Sequence, residues 1–188
     1  MTDTLRPAWA ETSDLLRDYY DHEWGMPVRS ESGLLERLCL EGFQAGLSWE
    51  TVLRKRPAFR ELFCDFDPDT VAAFTDIDIE RLASDPRIIR NRRKIASAIN
   101  NAQATVALRA DGGLSAFIWS FQPAETITPL TEDDIPTQSE ESRALAAALK
   151  KRGFSFVGPT TVYAMMTSIG MVDAHLVGSS RRGSSGVF

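Results

Sequence analysis

Glu41 is the residue whose surroundings most clearly suggest chemistry. It follows an apolar helical segment, residues 34–40, and precedes Gly42 and a short turn at Gly46 and Leu47. A carboxylate at the inner end of an apolar helix costs free energy unless it is partnered, so Glu41 is a candidate for a ligand pocket and for catalysis. The alternative is a carboxylate that caps the following turn or pairs with an arginine. The turn itself either presents Leu47 outward, as wedges that enter a DNA duplex do, or buries it.

A second candidate is a cluster of polar and aromatic side chains at residues 19–27. Two tyrosines, a histidine, two acids and a tryptophan occur there within nine residues. Such a cluster can stack against a planar ring and hydrogen-bond its edge, which an ordinary core does not require. The alternative is a structural lid in which Trp24 fills the core.

A third candidate is a basic hairpin at about residues 150–161. Lys150, Lys151 and Arg152 end one helix, Gly153 stops it, and a new helix begins near Thr160 after a tight connection. Backbone N–H groups at a helix N-terminus, beside a glycine turn and lysines, form a good phosphate site. An ordinary helical hairpin would have the same pattern.

The histidines and cysteines do not form a convincing metal set. The chain has two of each, and Cys39 and Cys64 lie among apolar neighbours, which is typical of core residues. Two histidines without nearby cysteines make a poor zinc site, so we expect no metal and no other cofactor. No nucleophile elbow supports a Ser-His-Asp arrangement.

The elements that position these residues are predicted to be helices, because no run of alternating apolar and polar residues indicates a strand. We expect Pro57 to end or bend one helix, and Thr137 and Glu140 to form a capping box. Residues 122–139 form a long loop, and the tail, about residues 179–188, is expected to be frayed. Helix starts are predicted near Ser30 or Ser32, at Ser48, at Asp67-Pro68, at Asp76 or Asp78, and at Asp85-Pro86, which opens the longest helix.

Length and composition favour one soluble domain over residues 1–188, with 43% hydrophobic and 25% charged residues. The segment 1–9 lacks a signal-peptide core, no apolar run could span a membrane, and two isolated cysteines favour a reducing cytoplasm. The net charge of −5 argues weakly against a nucleic acid as the binding partner. However, residues 81–100 hold six basic side chains and one acid, which indicates either a binding surface or a solvated helix face.

Several segments together resemble the DNA-3-methyladenine glycosylase I family of the helix-hairpin-helix superfamily. The resemblance runs from about residue 19 to 178. It implies an all-α helix-hairpin-helix glycosylase fold, with a pocket between the terminal helices and the middle bundle. It also implies excision of 3-methyladenine from double-stranded alkylated DNA by a monofunctional enzyme without a lyase step, acting as a monomer. The motifs are Glu23-Trp24-Gly25, residues 40–49, Ile88-Ile89-Arg90-Asn91, Ile135-Pro136-Thr137, and residues 150–158.

The resemblance also assigns roles to single residues. Glu41 would hydrogen-bond the extrahelical base, and Tyr19, Trp49 and, in a looser alignment, Trp9 would line its pocket. A purine methylated at N3 is cationic and already a good leaving group, so aromatic faces and one carboxylate favour it. The residues expected to contact DNA are Gly46, Leu47, Lys151, Gly158, Thr160 and Thr161.

The sequence departs from the family pattern in three respects. Members commonly bind zinc through two cysteines and two histidines; His175 matches one ligand, and the others are replaced by Pro7, Tyr20 and Ser179. We therefore expect no such zinc, and chain ends held by packing, with Tyr20 against the tail.

Leu16 replaces a frequent pocket tyrosine, which predicts looser base selection. Asp173 lies in a Val-Asp-x-His segment that supplies the catalytic aspartate of related glycosylases. It either stabilises the developing sugar cation or caps a helix.

Three other functions remain open at this stage. Leu16 and Asp173 favour a glycosylase for another damaged base. The lost zinc ligands and the acidic net charge favour a catalytically silent module that binds damaged DNA. An aromatic pocket alone would also suit a small-molecule binder without DNA affinity.

Overall fold

The computed structural model describes residues 5–188. The segment 1–9, which we expected to lack a signal-peptide core, lies partly outside these residues, because it includes residues 1–4. Within the described part the chain is all-α and has no strand, as predicted. Residues 5–188 contain four 3₁₀ turns: Ala8–Glu11 precedes the first helix, and Cys64–Phe66, Arg109–Asp111 and Glu132–Asp134 lie between later helices. The helices are α1 (Asp14–His22), α2 (Glu31–Gln44), α3 (Trp49–Leu62), α4 (Pro68–Ala72), α5 (Asp76–Ser84), α6 (Arg92–Leu108), α7 (Gly113–Trp119), α8 (Glu140–Lys151) and α9 (Pro159–Ser168).

Serine caps begin the two helices that flank the Gly46-Leu47 turn. The Ser30 hydroxyl accepts the N–H of Gly33 before α2, and the Ser48 hydroxyl accepts that of Thr51 before α3, each at 3.2 Å. Pro57 does not end α3, which continues to Leu62. The fully buried Phe59 after it packs on the core, and that packing offsets the missing hydrogen bond.

Two predicted helix starts were wrong. The longest helix, α6, begins at Arg92 and not at Asp85-Pro86, because the Asn91 side chain caps it at the N–H of Lys94 (3.2 Å). The Asp85 carboxylate instead accepts the N–H of Arg87, two residues on, which closes a turn. Helix α8 is capped by Ser139, which forms its capping box with Ser142 and not through Thr137 and Glu140.

Helix α2 runs through the middle of the fold. Every residue from Leu34 to Phe43 is buried, and α3, α6 and α9 pack around the helix. A helix that is enclosed on all sides carries its polar residues into the interior as well, and Glu41 is one of them. Apolar side chains of α6 and α9 complete this core: Ile95, Ile99, Ala102, Val162, Met165 and Met166.

The C-terminal tail packs against the domain, contrary to the frayed tail that we expected. The Arg182 guanidinium donates to the carbonyls of His175 and Ile127, each at 2.7 Å. The N–H of Gly183 donates to the Asp173 carboxylate at 2.8 Å. These bonds also fasten the long loop, residues 122–139, to the tail. No helix of residues 5–188 has the length and apolar character to cross a membrane.

Candidate active site

A cavity of about 490 Å³ lies between the 3₁₀ turn Ala8–Glu11, α1, the junction of α2 and α3, and α9. Its size suits a flat ring system of drug-like dimensions. Four residues predicted for base binding line it together: Trp9, Tyr19, Glu41 and Trp49. The other lining residues are Thr12, Leu16, Trp24, Gln44, Ser48, Glu50, Ala164 and Thr167.

Glu41 is buried, with 6% of its surface exposed, and reaches the cavity from the end of α2. Within the described chain, no group donates a hydrogen bond to its carboxylate. Burial raises the pKa of Glu41 to about 8, against the opposing effect of the Arg37 charge. A buried carboxylate without a hydrogen-bond partner is typical of a ligand-binding group. This favours the interpretation of Glu41 as a pocket residue over the alternatives, in which it caps the following turn or pairs with an arginine.

Tyr19 and Trp49 form an aromatic wall of this cavity. Their ring centroids are 5.6 Å apart and their planes meet at 49°. The Tyr19 hydroxyl accepts a hydrogen bond from Nη1 of Arg37 at 3.3 Å, while burial raises the pKa of Tyr19. The indole N–H of Trp49 is buried and has no acceptor among the described residues. The wall thus offers ring faces for stacking and one free donor.

Arg37, which sequence reasoning missed, holds this wall in place. Its guanidinium is buried and pairs with Glu23, which also binds Arg56 at 2.6 Å. Arg56 then bonds to Glu36 at 2.8 Å, so the charges behind Tyr19 form a connected network. The signal in the sequence was an arginine four residues before Glu41 on the same apolar helix.

The Gly46-Leu47 turn projects from the protein beside the cavity. Leu47 is 43% exposed, and Gly46 adopts φ +86°, a conformation that favours glycine. The structure therefore favours the outward interpretation of Leu47. A second cavity of about 410 Å³ connects the turn with Glu41, Thr160 and Thr161.

The basic hairpin supplies the opposite side of that second cavity. Gly158 precedes α9 without a side-chain cap, and Pro159 occupies the first helical position. The N–H groups of Thr160 and Thr161 find no acceptor in residues 5–188, as an anion site at a helix N-terminus requires. Lys151 lies on the exposed surface at the end of α8 and lines neither cavity.

Asp173, predicted as a second catalytic residue, does not line the base cavity. Its carboxylate is buried and accepts hydrogen bonds from Nδ1 of His175 at 2.7 Å and from the N–H of Gly183 at 2.8 Å. Although burial opposes ionisation, these bonds hold the pKa of Asp173 below its usual value. These bonds fasten the tail to the domain; the N–H donors at residues 175 and 183 lie outside the helices, so Asp173 is not the helix cap of the predicted alternative.

The residues at the family's zinc positions do not fit a tetrahedral metal site. Only His175 is a metal-ligating type, and no group of three His, Cys, Asp or Glu side chains comes together in residues 5–188. The Tyr20 hydroxyl instead bonds to that of Ser179 at 3.0 Å, which confirms that Tyr20 meets the tail. His175 packs edge-on against Trp24 at 4.8 Å. Cys64, expected in the core, is exposed.

Comparison with known proteins agrees with this geometry. DNA-3-methyladenine glycosylase from Haemophilus influenzae is 46% identical over 176 residues, which cover 92% of this chain and 95% of that protein. DNA-3-methyladenine glycosylase 1 from Escherichia coli is 46% identical over 177 residues, with 92% and 94% covered.

Two solved structures share the fold. A crystal structure of 3-methyladenine DNA glycosylase I superposes with a TM-score of 0.90 at 43% identity, covering 95% of this chain and 100% of that one. A Staphylococcus aureus structure, described as the structural basis of 3-methyladenine recognition, has a TM-score of 0.88 at 35% identity, covering 93% and 95%. The methyladenine glycosylase profile matches residues 9–182, so this chain belongs to the methyladenine glycosylase family.

Proposed function

We infer that this protein excises 3-methyladenine from alkylated double-stranded DNA, releasing the free base and leaving an abasic site. The observation that carries this function is the unpartnered carboxylate of Glu41 at the end of an aromatic cavity. The activities of the relatives named above support it.

The surface around the cavity suits a flipped nucleotide. An enzyme that acts on a base inside a duplex must first rotate it out of the stack. The base would enter the cavity between Tyr19 and Trp49, and Leu47 would occupy the space that it leaves. The free N–H groups of Thr160 and Thr161 would bind phosphate on the other side of that space.

The chemistry is hydrolysis of the bond between C1′ of the sugar and N9 of the base. The electron pair of that bond moves to N9, which neutralises the positive charge of the methylated purine. Water then adds to C1′ and releases a proton. Because the leaving group is already activated, the site has to bind and orient the cation rather than supply a strong acid or base. The carboxylate of Glu41 and the electron-rich faces of Tyr19 and Trp49 provide this.

A monofunctional reaction agrees with the lining of the cavity. A lyase step would require an amine nucleophile that attacks C1′ and forms a Schiff base. The residues that line the base cavity include no lysine. Water is therefore the proposed nucleophile.

The test is release of free bases from methylated duplex DNA, identified by chromatography, with Glu41→Gln alongside. We expect 3-methyladenine from the wild-type protein and little or none from the variant. DNA binding without release in single-turnover experiments would instead support a silent damage-binding module. Absence of both DNA binding and base release would leave the small-molecule binder.

A wider lesion range is the second candidate function, and Leu16 is the observation that favours it. Leu16 lines the base cavity where the family often has a tyrosine, so the site has one polar contact fewer. A panel of duplexes with other alkylated or deaminated bases distinguishes the two. The cytoplasmic location and the monomeric state stay predictions.

A further inference from the structure

Lys94 joins the first turn of α6 to the end of α2. Its Nζ donates hydrogen bonds to the carbonyl oxygens of Phe43 at 2.9 Å and Ala45 at 2.7 Å. The last carbonyls of a helix have no partner within the helix, so one ammonium group satisfies two acceptors here. A cation at a helix C-terminus also interacts favourably with the helix dipole.

These two carbonyls lie at the base of the Gly46-Leu47 turn. On the far side, the Ser48 cap begins α3, and within the turn the N–H of Leu47 donates to the Gln44 carbonyl at 2.7 Å. Apart from its two neighbours in the chain, no residue comes within 4 Å of where a Cβ on Gly46 would be, so this point of the turn borders open space. The conformation of the turn depends on the bond between Leu47 and Gln44 and on the hydrogen bonds at its two ends, and Lys94 supplies two of those on the α2 side.

We propose that Lys94 is a positioning residue for duplex opening, which fixes the direction in which Leu47 projects. The proposal rests on the proposed function, because it assumes that Leu47 enters the duplex as the base leaves. Lys94 does not line the base cavity. Its loss should therefore impair excision from duplex DNA and leave recognition of the free base intact.

A purely structural role makes a different prediction. Glu41 lies on α2 four residues before Ala45, so general loosening of this helix end would weaken base binding as much as excision. The two roles are separated by measuring both quantities on the same variants.

The chain offers a matched control in Lys55. Its Nζ also donates to two backbone carbonyls, those of Pro86 at 3.0 Å and Arg87 at 3.1 Å, away from the turn. Like Lys94 it is half-buried. Lys55→Met removes the same kind of contact without affecting the Gly46-Leu47 turn. Lys94→Arg, in contrast, keeps a cation with several hydrogen-bond donors at the original place.

The experiment compares wild type, Lys94→Met, Lys94→Arg and Lys55→Met. Single-turnover excision of 3-methyladenine from duplex DNA gives the rate, and quenching of tryptophan fluorescence gives the affinity for free 3-methyladenine. We expect Lys94→Met to lose at least about tenfold in excision rate, the effect of losing a hydrogen bond to a charged group. Its base affinity should stay within about twofold, Lys94→Arg should recover part of the rate, and Lys55→Met should match wild type.

Three results would overturn the proposal: an unchanged excision rate in Lys94→Met, an equal loss of base affinity and excision, or an equal loss of excision in Lys55→Met. Failure of the proposed function is distinguishable, because wild type itself would then release no 3-methyladenine.

Discussion

Replacing Glu41 with glutamine should abolish excision and stabilise the fold at the same time. The amide has nearly the same shape as the carboxylate and no charge. In the folded protein the carboxylate is buried without a hydrogen-bond donor, and burial raises its pKa from 4.5 to about 8. The folded state therefore holds a proton that the unfolded chain releases above pH 4.5.

The pKa difference sets the size of the effect. Between pH 4.5 and about 8, the folded state loses about 1.4 kcal/mol of stability per pH unit through this group, because only the unfolded chain is ionised. The loss amounts to about 3 kcal/mol at pH 7 and is close to zero at pH 4. The Gln variant avoids it, so its free energy of unfolding should exceed that of wild type by up to this amount.

Urea unfolding at pH 5 and pH 7.5 measures the difference. With an m-value of about 2 kcal/mol per molar, the midpoint advantage of Glu41→Gln should grow by about 1.5 M between the two pH values. Glu50→Gln is the control: Glu50 also lines the cavity, but its side chain is 32% exposed and paired with Arg54. It should show no such growth. A Glu41→Gln variant that is less stable than wild type, or whose advantage does not change with pH, would refute the description of Glu41 as a buried, unpartnered acid.

Three further predictions concern the pH dependence of excision, the side chain of Leu47 and the C-terminal tail. The kcat/KM for duplex excision should rise about tenfold per pH unit up to about pH 8 and then level off, because the free enzyme must lose the Glu41 proton; a flat profile from pH 6 to 9 would contradict this. Leu47→Ala should lower the duplex excision rate by about tenfold while the affinity for free 3-methyladenine, measured by fluorescence, is retained; equal losses would place Leu47 in base recognition instead. Tyr20→Phe should lower the free energy of unfolding by about 1 kcal/mol, since it breaks the hydrogen bond to Ser179. A chelator should leave the melting temperatures of the wild type and of this variant unchanged; stabilisation by added zinc would contradict the loss of the metal site.

The local features of this protein follow from its sequence. Some features depend only on residues within one turn of each other, so neighbouring residues are sufficient to predict them. They are the helix content, the caps at Ser30 and Ser48, and the helix end at Gly153. The acid in an apolar helix, Glu41, was likewise visible as a conflict between residue type and surroundings. Local signals failed where two caps competed, as at Asp85 and Asn91.

Long-range contacts decided the rest. Whether Asp173 reaches substrate or fastens the tail depends on the approach of Gly183, and whether Arg37 pairs with Glu41 or with Glu23 and Tyr19 depends on the packing of α1 and α3 against α2. Lys94 could bind any helix end or solvent until α6 lies beside α2. Each choice is a competition among several partners of similar strength, and only the tertiary fold determines which partner is within reach.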